Sequence, residues 1–263
     1  MNRAEEINFL VEYLVNEMPT FRDQVEALPK DEQTQRYLLR ALMTVRPPLP
    51  LDEEFLRVQD SLLSAETVDK GVVLAADLPE WPGQPGIALW QGDITRLKAD
   101  AIVDADNDRL LGCFVPGHAC IDNAIHSAAG LQLRDECNQI MQAQGHPEPT
   151  GSAKLTGGYN LPATHVLHTV GPIISGELRQ EDRDLLASCY RSCLEVAAEH
   201  NLATVAFCCI STGEFRFPNE EAARIAIRTV KEFLQSPTSV RKVIFNVFKD
   251  TDAKIYEELL STH

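Results

Sequence analysis

The sequence predicts a three-layer α/β sandwich over residues 81–263, built on a mixed central sheet of about six strands and preceded by a helical N-terminal extension over residues 1–80. Three observations carry this expectation. Apolar residues recur at intervals of three and four through the first 66 positions, the period of amphipathic helices. A proline- and glycine-rich stretch, "LPEWPGQPG" (78–86), then interrupts the chain. After Gly86, short β-branched runs alternate with helical ones, the pattern of a sheet covered on both faces.

Taken in order, Ile7, Leu10, Val11, Leu14 and Met18 mark a first helix. "KDEQTQRYLLRALMTV" (30–45) and "DEEFLRVQDSLLSAE" (52–66) each follow a proline-marked break and open with acidic residues, which predicts two more. Beyond residue 80, strands are expected at "IALWQ" (87–91), "DAIVDA" (100–105), "HVLHTV" (165–170), "ATVAFCCI" (203–210) and "KVIFNVF" (242–248), with a weaker one at "AKLTG" (153–157). Helices are expected at 121–129, 131–144, 181–200, 219–235 and 252–260. Ligands of such sheets bind beyond the carboxyl ends of the strands, so the loops there draw attention.

Composition narrows the function. A formal net charge of −15 disfavours a nucleic-acid surface, because phosphate-backbone binding is driven by Lys and Arg releasing counterions. A small anionic ligand stays admissible, since backbone N–H groups in a turn or at a helix N-terminus hold phosphate without cationic side chains. No apolar run is long enough to cross a bilayer and "MNRAEEINFL" lacks the signature of a secretory signal, so a cytoplasmic location and no membrane partner are expected. Seven cysteines, four of them (Cys189, Cys193, Cys208, Cys209) in helix- or strand-like stretches, argue against a disulfide framework.

The segment "GCFVPGHAC" (112–120) places Cys113, His118 and Cys120 in a turn bent by Pro116 and Gly117. Two thiolates and an imidazole are ligand types zinc prefers, and a set of three leaves the open position of a catalytic zinc. Two other readings stand beside this one: incidental thiols, or a Cys113 nucleophile with His118 as its base. "ISTGEF" (210–215) lies between a strand and a helix, either as an anion cradle with Phe215 against a sugar or as a plain connection with Pro218 at the first helical position. Asp93 in "WQGDIT" suits either a turn or the binding of an amino group. "DADND" (104–108) reads as a solvated acidic loop around Asn107, and Asp122 as either a helix cap or a carboxylate beside the metal. His126 and His168 sit among apolar neighbours and read as satisfied interior histidines.

Together "GDIT" (92–95), "DAIV" (100–103) followed by Asn107, "IDNAIHSAAG" (121–130), "GYNLPATHVLHTVGP" (158–172) and "ISTGEF" resemble the macrodomain family of ADP-ribose-binding α/β folds, over about residues 86–260. "GCFVPGHACID" and the helical extension resemble its zinc-containing class. The resemblance implies one zinc ion (Zn2+) on Cys113, His118 and Cys120, beside the distal ribose of ADP-ribose. It implies that Asp93 and the Ile94 backbone hold adenine, that Cys120, Ile121 and Asp122 border the ligand, and that Asn107 and Asp122 orient ribose and water. It assigns pyrophosphate to the backbone of Ser211, Thr212, Gly213 and Glu214, the distal ribose face to Phe215, and a place near adenine to Phe248.

One departure stands out: the family's Asn-Ala-Ala-Asn becomes Asp104-Ala105-Asp106-Asn107. An ionised carboxylate accepts but cannot donate, and near a dianionic ligand it repels; Asp106 and Asp108 are expected to face water, with Arg216 offsetting part of the charge. The implied activity is zinc-dependent removal of mono-ADP-ribose from protein Asp or Glu carboxylates. The implied substrate is a lipoyl-carrier protein modified by a sirtuin-like ADP-ribosyltransferase. The alternative is a non-catalytic ADP-ribose reader with a structural zinc.

Overall fold

The computed structural model describes residues 1–262. Helix α1 (Arg3–Glu17) starts at a capping box in which the Asn2 side chain accepts from the Glu5 N–H and the Glu5 carboxylate accepts from the Asn2 N–H. Helices α3 (Glu32–Val45) and α4 (Glu53–Lys70) are capped by Asp31 and Asp52. Ile7, Leu10, Leu14, Leu39, Phe55 and Leu62 pack together into a small core of their own, which Leu131 also joins. The sequence predicted three helices here, and the described residues form a fourth. After Pro19 a single 3-10 turn runs into the short α2 (Arg22–Glu26), whose one buried residue, Val25, is too little periodicity to read.

Strand β1 (Val73–Leu74) pairs in parallel with β3 (Leu97–Lys98), a two-residue stitch that no sequence pattern announced. The main sheet contains β2 (Ile87–Gln91), β4 (Ala101–Asp106), β5 (Ala153–Gly157), β6 (His165–Val170), β7 (Thr204–Phe207) and β8 (Lys242–Val247), in the order β2-β8-β7-β4-β6-β5. All neighbours are parallel except the β5 edge, which runs antiparallel to β6. Helices α7 (Gln180–Glu199), α8 (Asn219–Leu234) and α9 (Asp250–Ser261) pack side by side. Helices α5 (Ile121–Ala129) and α6 (Leu131–Gln144) pack on each other and against β4 and β5, respectively, and α3 and α4 lie against α5. Ile102, Val103, Val166, Leu167, Val205 and Ile244 fill the interior, as expected for strands buried on both faces.

Two of the expected boundaries shift in ways that matter for the site. The expected strand 203–210 stops at Phe207, so Cys208–Ile210 leave the ladder and the connection to α8 becomes longer. Strand β4 runs on through Asp106, so Asp104 and Asp106 belong to the sheet and not to a solvated loop. Among the described residues no helix is long and apolar enough to cross a membrane.

A buried arginine ties the helical extension to the α/β part. Arg134 on α6 donates from Nη1 to the carbonyls of Met43 (2.9 Å), Thr44 (3.1 Å) and Arg46 (2.7 Å) at the end of α3, and from Nε to Leu111 O (2.7 Å). The guanidinium carbon lies 4.4 Å from the centre of the Phe114 ring. Gln59 on α4 adds a second tie, accepting from the Leu131 N–H at 2.9 Å. Arg134→Met keeps the apolar stem but leaves four carbonyls without their donor. We expect it to lower stability by about 3 kcal/mol in urea unfolding. Arg134→Lys should recover only part of this, because an ammonium lacks the planar fork.

Candidate active site

The loops that follow β2, β4 and β7 converge beyond the carboxyl ends of these parallel strands. After β4 the chain turns through Gly112, whose φ is +80° and whose added Cβ would fall 3.0–3.2 Å from the His126 ring. This glycine lets the backbone lie directly on that ring. Phe114, stacked on Arg134, anchors the next turn. The turn brings Cys113 Sγ to 3.4 Å from His118 Nδ1, and the donor atoms of Cys113, His118 and Cys120 all lie within 4.8 Å of one another. His118 turns its other nitrogen, Nε2, to Glu214 Oε1 at 3.4 Å, which connects this loop to the one after β7.

Cys120 is also the N-cap of α5, its sulfur accepting from the Asn123 N–H at 3.4 Å. The capping place considered for Asp122 is therefore taken. Asp122 lies in the first turn, buried, with Oδ1 free of hydrogen bonds and 3.6 Å from His126 Nε2. Burial, and next the nearby Asp106 and Asp104 carboxylates, push its pKa well up. Burial also drives the Cys120 thiol up to about 12, with Asp122 and Cys113 adding to the rise. A thiol held protonated in this way is a poor nucleophile but a competent ligand once a cation is present.

Asn107 donates from Nδ2 to Asp106 Oδ1 (3.0 Å), Gly112 O (3.3 Å) and Asp122 Oδ2 (3.4 Å), so its amide is oriented from three sides. Asp104 and Asp106 are buried beneath it, at 0% and 1% exposure. The expectation that Asp106 faces water is thus corrected: strand β4 turns both side chains inward, onto His126 and His168. The reading of both histidines as satisfied is corrected in part. His168 Nε2 has Thr156 Oγ1 at 2.9 Å, whereas neither ring nitrogen of His126 has a hydrogen-bond partner among the described residues.

Asp93 caps the single 3-10 turn Ile94–Arg96, accepting from the Thr95 N–H (3.0 Å) and hydroxyl (2.7 Å). It borders a cleft lined also by Arg36, Arg40, Glu66, Lys70, Thr95 and Ala124. Ile94 is buried beside it, and Phe248, just past β8, is exposed. In the loop after β7, Ser211 takes a left-handed φ of 63°, and a Cβ on Gly171 would come within 2.0 Å of its hydroxyl. Among the described residues no hydrogen bond engages the N–H groups of Gly213, Glu214 or Phe215, and a Cβ on Gly213 would meet nothing within 4 Å. Open backbone donors in such a turn suit an anion.

The Macro domain family model matches residues 103–226. The chain is 50% identical, over 99% of its own length and all of the relative's, to protein-ADP-ribose hydrolase of Treponema medium. The chain belongs to the macrodomain family. Protein-ADP-ribose hydrolase of Staphylococcus aureus strain Mu50 is 48% identical over 95% of each chain. A probable bifunctional ADP-ribose hydrolase/ADP-ribosyltransferase of Fusarium oxysporum f. sp. cubense is 42% identical over 85% of this chain and 40% of that longer one. Among solved structures, the Trypanosoma brucei macrodomain in complex with ADP-ribose superimposes with a TM-score of 0.65 at 32% identity, covering 84% of this chain and 94% of that one. The Oceanobacillus iheyensis macrodomain with ADP gives 0.62 at 35% identity, covering 68% and 92%.

Sequence reasoning missed several residues that shape this macrodomain's site. Arg134 was hidden within "LRDEC", although a cation between Leu133 and Cys137 on an otherwise apolar stripe is a readable anomaly. Tyr37 on α3 reaches the loop at Gly117, and Arg40 donates to Asn123 Oδ1 at 3.2 Å, so the helical extension borders the site. Gly112→Ala should cost about 1–3 kcal/mol in thermal unfolding, because it combines a left-handed φ with a tight approach to His126. Gly213→Ala should stay within about 0.5 kcal/mol of the parent. Equal effects of the two would contradict this account of the loops.

Proposed function

We propose that this macrodomain is a hydrolase that releases mono-ADP-ribose from modified Asp or Glu carboxylates of proteins, using one zinc ion on Cys113, His118 and Cys120. The observation that carries the reading is the convergence of those three donor atoms, within 4.8 Å of one another, on a loop joined through His118 and Glu214 to the open amides after β7. Two sulfurs and a ring nitrogen at that spacing fit zinc, with Glu214 in place to fix the His118 ring from outside. Curated relatives at 48–50% identity are named protein-ADP-ribose hydrolase, which supports the reaction class.

When bound, zinc would supply Lewis-acid polarisation of an oxygen at the reacting centre. The chain's own residues supply the rest. The amides of Gly213, Glu214 and Phe215 would hold the pyrophosphate together with the Ser211–Thr212 backbone, Asp93 and Ile94 would receive adenine, and the ring of Phe215 would lie against the distal ribose. Asn107, fixed by Asp106 and Asp122, would orient that ribose, and Asp122 with Cys120 and Ile121 would close over it. Much of the acceleration would then be positioning. The alternative, a non-catalytic ADP-ribose reader with a structural zinc, would bind ADP-ribose in the same pocket without releasing it from the protein.

For the substrate, we propose a carrier protein bearing a lipoyl group, modified by a companion transferase in the cytoplasm. That a Fusarium relative is named as both hydrolase and transferase supports such a pairing. The purified chain should release free ADP-ribose from a carboxylate-linked, mono-ADP-ribosylated carrier, and a zinc chelator should slow release by about a hundredfold or more. Cys120→Ala should lose activity and zinc together; full activity in the metal-free variant would end the catalytic-zinc reading. Gly213→Val should weaken ADP-ribose binding about tenfold by calorimetry, a loss of about 1.4 kcal/mol.

A further inference from the structure

Behind the ribose-side loop lies a second group of donors, of which the proposed reaction uses only Asp106, to hold Asn107. Asp104 and Asp106 project from the same face of β4, His168 comes from β6 in register with Asp104, and His126 comes from α5. The four donor atoms lie within 4.8 Å of one another, and all four residues are buried. Both oxygens of Asp104 and both ring nitrogens of His126 lack any hydrogen-bond partner among the described residues. A protein interior does not leave a carboxylate and an imidazole unpaired at no cost; each such group costs several kcal/mol unless a cation or proton compensates it.

The spacing shows which compensation fits. Asp106 Oδ2 is 3.4 Å from His168 Nδ1 and 3.8 Å from His126 Nε2, and Asp104 Oδ2 is 3.9 Å from each of those nitrogens. Direct N–H···O bonds want 2.7–3.2 Å, so the His168–Asp106 contact is a long hydrogen bond and the other three separations are beyond one. Donor atoms tetrahedrally placed around an ion at bonds of ~2.1 Å are separated by about 3.4 Å, which the Asp106–His168 pair matches at 3.4 Å and the other pairs, at 3.8–3.9 Å, approach. Two carboxylates and two neutral imidazoles balance the charge of a dication, and a third buried carboxyl, Asp122, borders the cluster with Oδ1 3.6 Å from His126 Nε2. Thr156 Oγ1, 2.9 Å from His168 Nε2, is placed to accept that nitrogen's proton, which would leave the Nδ1 lone pair facing the carboxylates.

We propose that Asp104, Asp106, His126 and His168 form a second, buried site for a divalent transition-metal ion. It is separate from the three-ligand site of Cys113, His118 and Cys120. The mixed imidazole and carboxylate set suits Zn2+, Fe2+ or Mn2+. The two residues at which this chain departs from the macrodomain Asn-Ala-Ala-Asn pattern are its two carboxylate ligands. The ion would also act on the reaction through position alone: Asp106 would give Oδ2 to the metal while Oδ1 accepts from the Asn107 N–H (2.7 Å) and Nδ2 (3.0 Å). Asn107 would then be held by a metal-anchored carboxylate.

The test removes the outer site first. The full chain carrying Cys113→Ser and Cys120→Ser is stripped of metal and offered Zn2+, Mn2+ or, anaerobically, Fe2+, and retained metal is measured by mass spectrometry after gel filtration. We expect one equivalent of one of these ions to remain and the melting temperature to rise by about 5–10 °C with metal at a hundred times its Kd. Adding Asp104→Asn and Asp106→Asn should abolish both effects, with circular dichroism reporting the fold. If that variant does not fold, Asp104→Asn alone serves. No retained metal in the thiol-free chain, or retention that survives loss of these carboxylates, would overturn the proposal, the first outcome leaving a shared proton as what holds the cluster. Neither outcome depends on whether the protein hydrolyses ADP-ribose.

Discussion

The buried guanidinium of Arg134 is the joint on which the site's geometry depends. It satisfies three carbonyls at the end of α3 and one at Leu111, two residues before Cys113, and it carries the Phe114 ring. A helix C-terminus buried in an interior needs donors for its last carbonyls, and here one α6 side chain serves those of Met43, Thr44 and Arg46. The same group therefore fixes the helical extension and the start of the Cys113–Cys120 loop. With Tyr37 beside Gly117 and Arg40 on Asn123, α3 serves as one wall of the ligand loop as well as a cover for α5.

For a strongly acidic chain, holding a dianionic ligand as proposed needs local solutions to its charge. Open backbone N–H groups after β7 provide one, since they attract an anion without adding a titratable cation. Arg40 and Lys70 from the extension line the Asp93 cleft, where Arg36 is paired with Glu66. The acids around Asn107, namely Asp104, Asp106 and Asp122, are drawn inward and face histidines. Their burial keeps them from forming an exposed acidic patch, at the expense of a polar cluster that the protein must neutralise from within.

Periodicity made most of the architecture legible. Helices α5 and α6 and strands β2, β5 and β6 run where their apolar patterns place them, β6 buried at all but its first residue and the edge strand β5 at one residue only. Short elements escaped: α2 buries one residue, and β1 with β3 is a two-residue ladder set by tertiary contact. Cys208 to Ile210 look like strand because they are apolar, yet only backbone pairing defines a strand, and the chain leaves the ladder there. The thiol–histidine loop was legible from residue types. The burial of Asp104 and Asp106 was not, because a carboxylate run reads as solvated until the partners that face it, His126 and His168, come from elements far away in sequence.

The central claim is that Cys113, His118 and Cys120 hold a metal ion at the distal ribose of ADP-ribose. The most direct measurement is an anomalous difference map at the zinc edge, from crystals grown with Zn2+ and ADP-ribose. The account predicts a peak enclosed by the two sulfurs and the His118 ring nitrogen, with the distal ribose against Asn107. A map with no peak among those three atoms, or with the ribose turned away from Asn107, would contradict it.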